Sequence, residues 1–230
     1  MDERDLSDLL ESLSFLPNLE TLCVESKGLA PADSSAAEVN RTVYSVLHRN
    51  CKKLRLKGIS LTPAIAAMLG QLLPNMSSLT ELKLTGLDGS VVPAEQMERL
   101  FDGFAENLPV KTLSFSNFSV RSCLAPLTRR LSCFPDLTCL KLKNLNMDEH
   151  DLRGLLESFR LVPNLTFLNL SGNPLGHAVT CIVPHVINLT KLGYLYLNGT
   201  GSEEDLNAVR QGLLHRLLVV RASSPFNLDS

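Results

Sequence analysis

Apolar residues recur along this chain in a fixed rhythm, at the first, fourth and sixth places of a short segment that returns every 27 to 32 residues. The copies are Leu19/Leu22/Val24, Cys51/Leu54/Leu56, Leu79/Leu82/Leu84, Val110/Leu113/Phe115, Leu137/Leu140/Leu142, Leu165/Leu168/Leu170 and Leu192/Leu195/Leu197. Apolar fourth and sixth places around a polar fifth have the period of a strand with one buried face. The first places are separated by 32, 28, 31, 27, 28 and 27 residues, enough for a helix to follow each strand.

Between the strands the period lengthens to that of a helix, as in Leu152, Leu155, Leu156 and Phe159, or Leu206, Val209, Leu213 and Leu214. Each set predicts a helix with one apolar stripe turned inward. Acidic clusters (Asp2-Glu3-Asp5, Asp148-Glu149-Asp151 and Glu203-Glu204-Asp205) stand where helices begin, where the helix dipole favours negative charge. Pro184 predicts a kinked or shortened helix between His177 and Ile187. Leu217 to Val220 offers a degenerate eighth strand. The segment Asp5 to Leu19 (DLSDLLESLSFLPNL) aligns without gaps on Asp151 to Leu165 (DLRGLLESFRLVPNL), 146 residues later.

One strand-helix unit cannot cover its own apolar face, so such units gain stability by stacking on their neighbours. The expected fold is therefore α/β: a solenoid of about seven to eight repeats, with a parallel sheet on the concave side and helices on the convex side. The repeat domain is expected to occupy residues 1–220 and a polar C-terminal tail residues 221–230.

The stretch from Leu165 to Gly176, LTFLNLSGNPLG, resembles the leucine-rich repeat motif, the ribonuclease-inhibitor-like horseshoe. Asn173 stands at its ladder position, where a side-chain amide satisfies backbone groups at the turn. The other repeats place Lys27, Ile59, Leu87, Phe118, Leu145 and Thr200 there, so four of the seven are large and apolar. With that substitution pattern, phrases such as LKLKNLNMDEHDLRGLLE and LYLNGTGSEEDLNAVRQGLL are similar to the C-terminal repeats of NOD-like receptors. Within that family they are most similar to the inflammasome branch of flagellin and secretion-needle sensors and their CARD-bearing partner. The resemblance implies an intracellular innate immune role: ligand sensing, autoinhibition or oligomer contacts. No G-x-x-x-x-G-K-[ST] phosphate loop is present, and Met1 leads almost directly into a repeat helix, so a longer parent receptor is expected.

Composition narrows this further. Leucine supplies 47 of the 230 residues whereas tryptophan is absent, as reuse of one repeat unit would produce. A formal net charge of −2 gives no global pull towards nucleic acid or an anionic membrane. No apolar run reaches the ~18 residues of a membrane span, and the acidic start MDERDLSDLL does not resemble a signal peptide. The six cysteines (Cys23, Cys51, Cys123, Cys133, Cys139 and Cys181) form no C-x-x-C pair and no terminal cap, so reduced, mostly packed thiols and a cytoplasmic setting are expected.

Side chains alternate along a strand, so the third, fifth and seventh places face the concave solvent side. Counting the second place as well, the strands carry Lys52, Lys53, Arg55, Lys57, Lys83, Lys111, Lys141 and Lys143 against Glu20, Glu25 and Glu81. Arg55, Lys57, Lys83, Lys141 and Lys143 are therefore candidates for docking an acidic partner. Phe167, Tyr194 and Tyr196 form a candidate aromatic anchor.

The expected partner is a protein ligand or another domain of the parent receptor, with self-association left open. Nucleic acid is not expected, because the basic places lack interleaved aromatics. His48, His150, His177, His185 and His215 make no zinc motif, and neither a G-x-S-x-G elbow nor a G-x-G-x-x-G loop occurs. No cofactor, metal or catalytic residue is expected. The alternative function is a free-standing inhibitor or scaffold of the ribonuclease-inhibitor type, which would want acids and aromatics on its sheet.

Overall fold

The computed structural model describes residues 19–25, 50–102, 104, 106–120, 124–214 and 219–221. The expected first helix, ladder position Lys27, Cys123, His48, His215 and the tail from 222 onward lie outside the described residues.

Eight strands form one parallel sheet in unbroken chain order. They are β1 (Thr21–Glu25), β2 (Lys53–Ile59), β3 (Glu81–Val91), β4 (Thr112–Ser119), β5 (Cys139–Lys143), β6 (Phe167–Asn169), β7 (Tyr194–Tyr196) and β8 (Val219–Arg221). The register joins equivalent repeat places: Leu22, Leu54, Leu82, Leu113, Leu140, Leu168, Leu195 and Val220 pair in one row across the sheet. Of the 21 apolar residues that define the seven copies, all are buried except Leu19, which is partly buried against the same core. The expected eighth strand is present and includes Arg221.

The second layer consists of α1 (Pro63–Leu72), α2 (Ala94–Asp102), α3 (Ala125–Arg130), α4 (Glu149–Ser158), α5 (Ile182–Val186) and α6 (Glu203–Gly212). Their starts are chemically marked. Thr62 accepts from the Ile65 amide and Pro63 opens α1, where its missing N–H costs nothing. Asp148 with Asp151, and Ser202 with Asp205, form reciprocal capping boxes on α4 and α6. The stripe Leu152, Leu155, Leu156 and Phe159 is buried, as are Leu206, Val209 and Leu213. Leu214 departs from the expected stripe and is 65% exposed, because α6 ends at Gly212 and the helical period no longer carries it inward. Around Pro184 the chain forms a 3₁₀ turn, Gly176–Cys181, and then the five-residue α5, the shortened helix that the proline requires.

After each strand the chain must turn sharply towards the convex side. The eighth place makes that turn with a left-handed residue in five repeats: Gly58 (φ 70°), Asn117 (φ 61°), Asn144 (φ 51°), Gly172 (φ 75°) and Gly199 (φ 67°). Glycine and asparagine are the residues that tolerate this conformation. One place later, Asn173 is fully buried and acts as expected. Its Nδ2 donates to the carbonyls of Leu142 and Leu170 at 2.7 Å, and its Oδ1 accepts from the amides of Leu145 and Met147 at 2.9 and 3.3 Å. Ile59, Phe118 and Leu145 fill the equivalent space with buried apolar side chains. β3 is the longest strand, and its register with β4 breaks between Thr85 and Ser90, where the 31-residue repeat takes up its extra length.

Candidate functional site on the concave sheet face

The unbroken register turns the repeat places into rows running across the strands. The third-place row reads Thr21, Lys53, Glu81, Thr112, Cys139, Phe167, Tyr194 and Val219; the fifth-place row reads Cys23, Arg55, Lys83, Ser114, Lys141, Asn169, Tyr196 and Arg221. Lys57 and Lys143 lie further along, at the seventh place of β2 and β5. All eight sequence candidates are therefore on the sheet, on the side opposite the buried fourth and sixth places.

The face divides electrostatically into two halves. Over β1 to β3, Lys52, Arg55, Lys57 and Lys83 have acidic partners. Arg55 donates to both carboxylate oxygens of Glu81, from Nε at 2.7 Å and from Nη2 at 3.1 Å, and Lys83 Nζ lies 2.7 Å from the same carboxylate. Lys52 meets Glu20 at 2.6 Å, and Lys57 pairs with Glu25. The guanidinium of Arg55 is the main reason that the Glu81 carboxyl is held down to about 2, against the opposing effect of its own burial; Lys83 adds to the lowering. The excess of basic places read from the sequence is, at this end, largely matched by these carboxylates. Arg55, Lys57 and Lys83 each face a carboxylate of the same sheet.

Over β4 to β8 the described concave places hold no carboxylate, and four of the sequence candidates, Lys141, Phe167, Tyr194 and Tyr196, meet here with Arg221. Lys141 Nζ lies over the Phe167 ring, 5.1 Å from its centroid. Phe167 stacks on Tyr196 at 5.1 Å with 28° between planes, and Arg221 Cζ lies 5.7 Å from the centroid of the Tyr196 ring. Because these residues come from β5, β6, β7 and β8 in that order, they form a column: cation, ring, ring, cation. Tyr194 leans on Phe167 at 6.1 Å and is 49% exposed. Lys143 is exposed beside the column.

Arg221 was missed at the sequence level because its strand carries no leucine spacing; the signal was the apolar Leu217 to Val220 run immediately before it. The column also supplies the interleaving of aromatics and cations that the sequence by itself did not display.

Elsewhere the chemistry is modest. His177 Nδ1 lies 2.8 Å from Asp205 Oδ1, while Ser202 Oγ donates to Asp205 Oδ2 at 2.7 Å. The carboxylate thus separates hydroxyl from imidazole, and both partners, the serine foremost, lower the Asp205 pKa. Among the described residues, no group of three or more His, Cys, Asp and Glu side chains could hold a metal ion. No helix among them is long and apolar enough to cross a membrane. Of the five described cysteines, all free thiols, Cys51 and Cys133 are buried and Cys139 is half-buried. Cys23 and Cys181 are exposed.

No family model matches the sequence, and no curated protein matches it. Among solved structures, the chain is similar to a leucine-rich repeat protein of Leptospira interrogans, with 16% identity over 91% of this chain and 68% of that one and a TM-score of 0.31. The fold rests on the chain's own geometry. Eight parallel strands in chain order, leucine places paired row by row and a helical second layer make this a leucine-rich repeat solenoid of about eight repeats.

Proposed function

We propose that this chain is a protein-binding repeat module of an intracellular NOD-like receptor, working through recognition and not catalysis. The observation that carries the binding reading is the concave column of Lys141, Phe167, Tyr196 and Arg221, with Tyr194 half exposed beside it. Aromatics and arginine on a rigid, solvent-facing sheet are the side chains that most often anchor protein interfaces. The sequence resemblance supplies the receptor class, a cytoplasmic site of action and the role in sensing, autoinhibition or oligomer contacts.

The inhibitor alternative needs free acids on the sheet to clamp a basic enzyme. Glu20, Glu25 and Glu81 are each engaged by a lysine or arginine of the same sheet, which favours the receptor reading.

The test uses a photo-crosslinking amino acid at position 194 and, as a control, at Arg153 on the convex helix α4. Protein adducts should form from position 194 in preference to 153, and should fall when Phe167 and Tyr196 are both changed to Ala. Equal labelling from the two faces would overturn the concave surface. The complete transcript tests the receptor class: a phosphate loop of the G-x-x-x-x-G-K-[ST] type in the same reading frame is expected.

A further inference from the structure

The column on β5 to β8 has a chemistry and a spacing that specify its ligand more closely. Strand order places Lys141 and Tyr196 on opposite sides of Phe167, and Phe167 and Arg221 on opposite sides of Tyr196. The ring faces are thus covered by neighbours, and the ring edges are what an approaching molecule meets. A nucleobase stacks on an open ring face, which the two rings inside the column, Phe167 and Tyr196, do not offer. Ring edges are the positive part of the aromatic quadrupole and suit carbonyl oxygens, carboxylates and apolar edges.

The two terminal cations have no carboxylate on the described part of their own half of the sheet. They are held apart by the register: Lys141 pairs with Asn169, Asn169 with Tyr196, and Tyr196 with Arg221. Three strand spacings of ~4.8 Å put their backbones about 14 Å apart. An extended peptide advances ~3.3–3.6 Å per residue, so four residues span the same length. In an extended chain residues i, i+2 and i+4 all point to one side. Two acids at i and i+4 would therefore reach both cations, and the residue at i+2 would rest on the ring edges.

We infer that the concave face over β5 to β8 binds an extended acidic peptide that runs across the strands, with carboxylates at i and i+4 on Lys141 and Arg221 and an apolar or aromatic residue at i+2 over Phe167 and Tyr196. This rests on the concave face being the partner surface and names the partner's chemistry. Lys143, exposed at the seventh place of β5, adds positive charge along the same approach.

The experiment is calorimetric titration of the full chain with synthetic peptides of serine and glycine carrying glutamate, serine, phenylalanine, serine and glutamate in sequence. Comparison peptides replace both glutamates by glutamine, or shorten the glutamate separation to two residues. The i,i+4 peptide should bind at least tenfold more tightly than either comparison, and Lys141→Met or Arg221→Met should each weaken it at least tenfold. Lys52→Met, at the far end of the sheet, should leave it unchanged. The doubly reversed K141E/R221E chain should instead prefer the same peptide with lysines in place of the glutamates. That arm gives a gain of binding which a damaged fold could not produce.

Binding that ignores the glutamates, or is equal in the methionine variants, overturns the inference. So does preferential binding of an oligothymidylate lost in those same variants. If no acidic peptide binds while crosslinking from position 194 still depends on Phe167 and Tyr196, the concave surface stands and the peptide chemistry falls. If the crosslinking is lost as well, the surface itself is wrong.

Discussion

Glu81 and Arg55 face each other across the β2–β3 ladder through two hydrogen bonds, at 2.7 and 3.1 Å, with Lys83 closing on the same carboxylate from its own strand. This contact ties two cations of the N-terminal half of the concave face to one carboxylate, and it has a measurable pH signature. The Glu81 carboxyl is lowered to about 2, against roughly 4.3 in an unfolded chain. Its contribution to stability is therefore fully present above pH ~4.3 and is lost as the pH falls towards 2. Glu81→Gln should melt lower than wild type at pH 7, and the gap should close between pH ~4.3 and ~2 in thermal unfolding followed by circular dichroism. A gap independent of pH would show that the ion pair contributes nothing.

The two kinds of concave lysine should respond differently to reversal. Lys83→Glu sets a second carboxylate beside Glu81 and should lower the melting temperature, more at low ionic strength than in high salt. Lys143→Glu, exposed and without a described acidic neighbour, should leave it within about 1 °C. A single salt titration of the two variants separates an ion-paired structural lysine from one available to a partner.

Asn173 satisfies four backbone groups from two neighbouring repeats. Asn173→Ala strands buried donors and acceptors and should cost at least about 2 kcal/mol in urea denaturation, since each unsatisfied buried group costs ~1–3 kcal/mol. Asn173→Leu should not recover the loss, even though Leu145 fills the same place one repeat earlier, because the turn around position 173 is built on the amide. Full recovery would mean that the ladder bonds are dispensable.

Two glycines test the turn geometry. At Gly172 (φ 75°) a Cβ would come within 1.6 Å of Asn144 Oδ1, the side chain that donates to Asn117 at 3.0 Å. At Gly176 (φ 56°) a Cβ would meet nothing within 4 Å. Gly176→Ala should cost only the left-handed strain, roughly 1 kcal/mol, and Gly172→Ala distinctly more, because it also breaks into the asparagine pair. Equal losses would show that the contact relaxes freely.

In the middle of the sheet, Leu168 is completely buried between Leu140 and Leu195. Leu168→Ala should cost about 2–5 kcal/mol, the range for emptying a leucine site in a packed core. A loss below 1 kcal/mol would mean that the repeats slide together to fill the space, and a crystal structure of the variant would reveal that.

The strands were legible because leucine at three fixed places is a strong, redundant signal, and each copy supports the others. The concave face followed from alternation, so every candidate from Arg55 to Tyr196 was placed on the right side. The eighth-place turn at Gly58, Asn117, Asn144, Gly172 and Gly199 was not read from the sequence, although aligning these five copies puts glycine or asparagine at that place each time. The ion pairs were harder. Which cation a glutamate meets depends on how long side chains lean between rows, and Glu81 reaches diagonally to Arg55. Leu214 was misplaced because the helical period carries no mark of where the helix stops. Arg221 lay beyond the last leucine-spaced triplet, Leu192/Leu195/Leu197, so the cation that completes the aromatic column had no sequence flag of its own.

A ribbon of this kind bends because strands sit ~4.8 Å apart while packed helices need ~8–10 Å. Behind β6 the outer layer changes in kind: the 3₁₀ turn Gly176–Cys181 and the five-residue α5 replace the ten-residue helices that back β5 and β7. The tighter 3₁₀ coil asks for less width, which works towards a flatter arc at that repeat. A flatter arc at that repeat would leave the rings of Phe167 and of the half-exposed Tyr194 open to a ligand arriving from solvent.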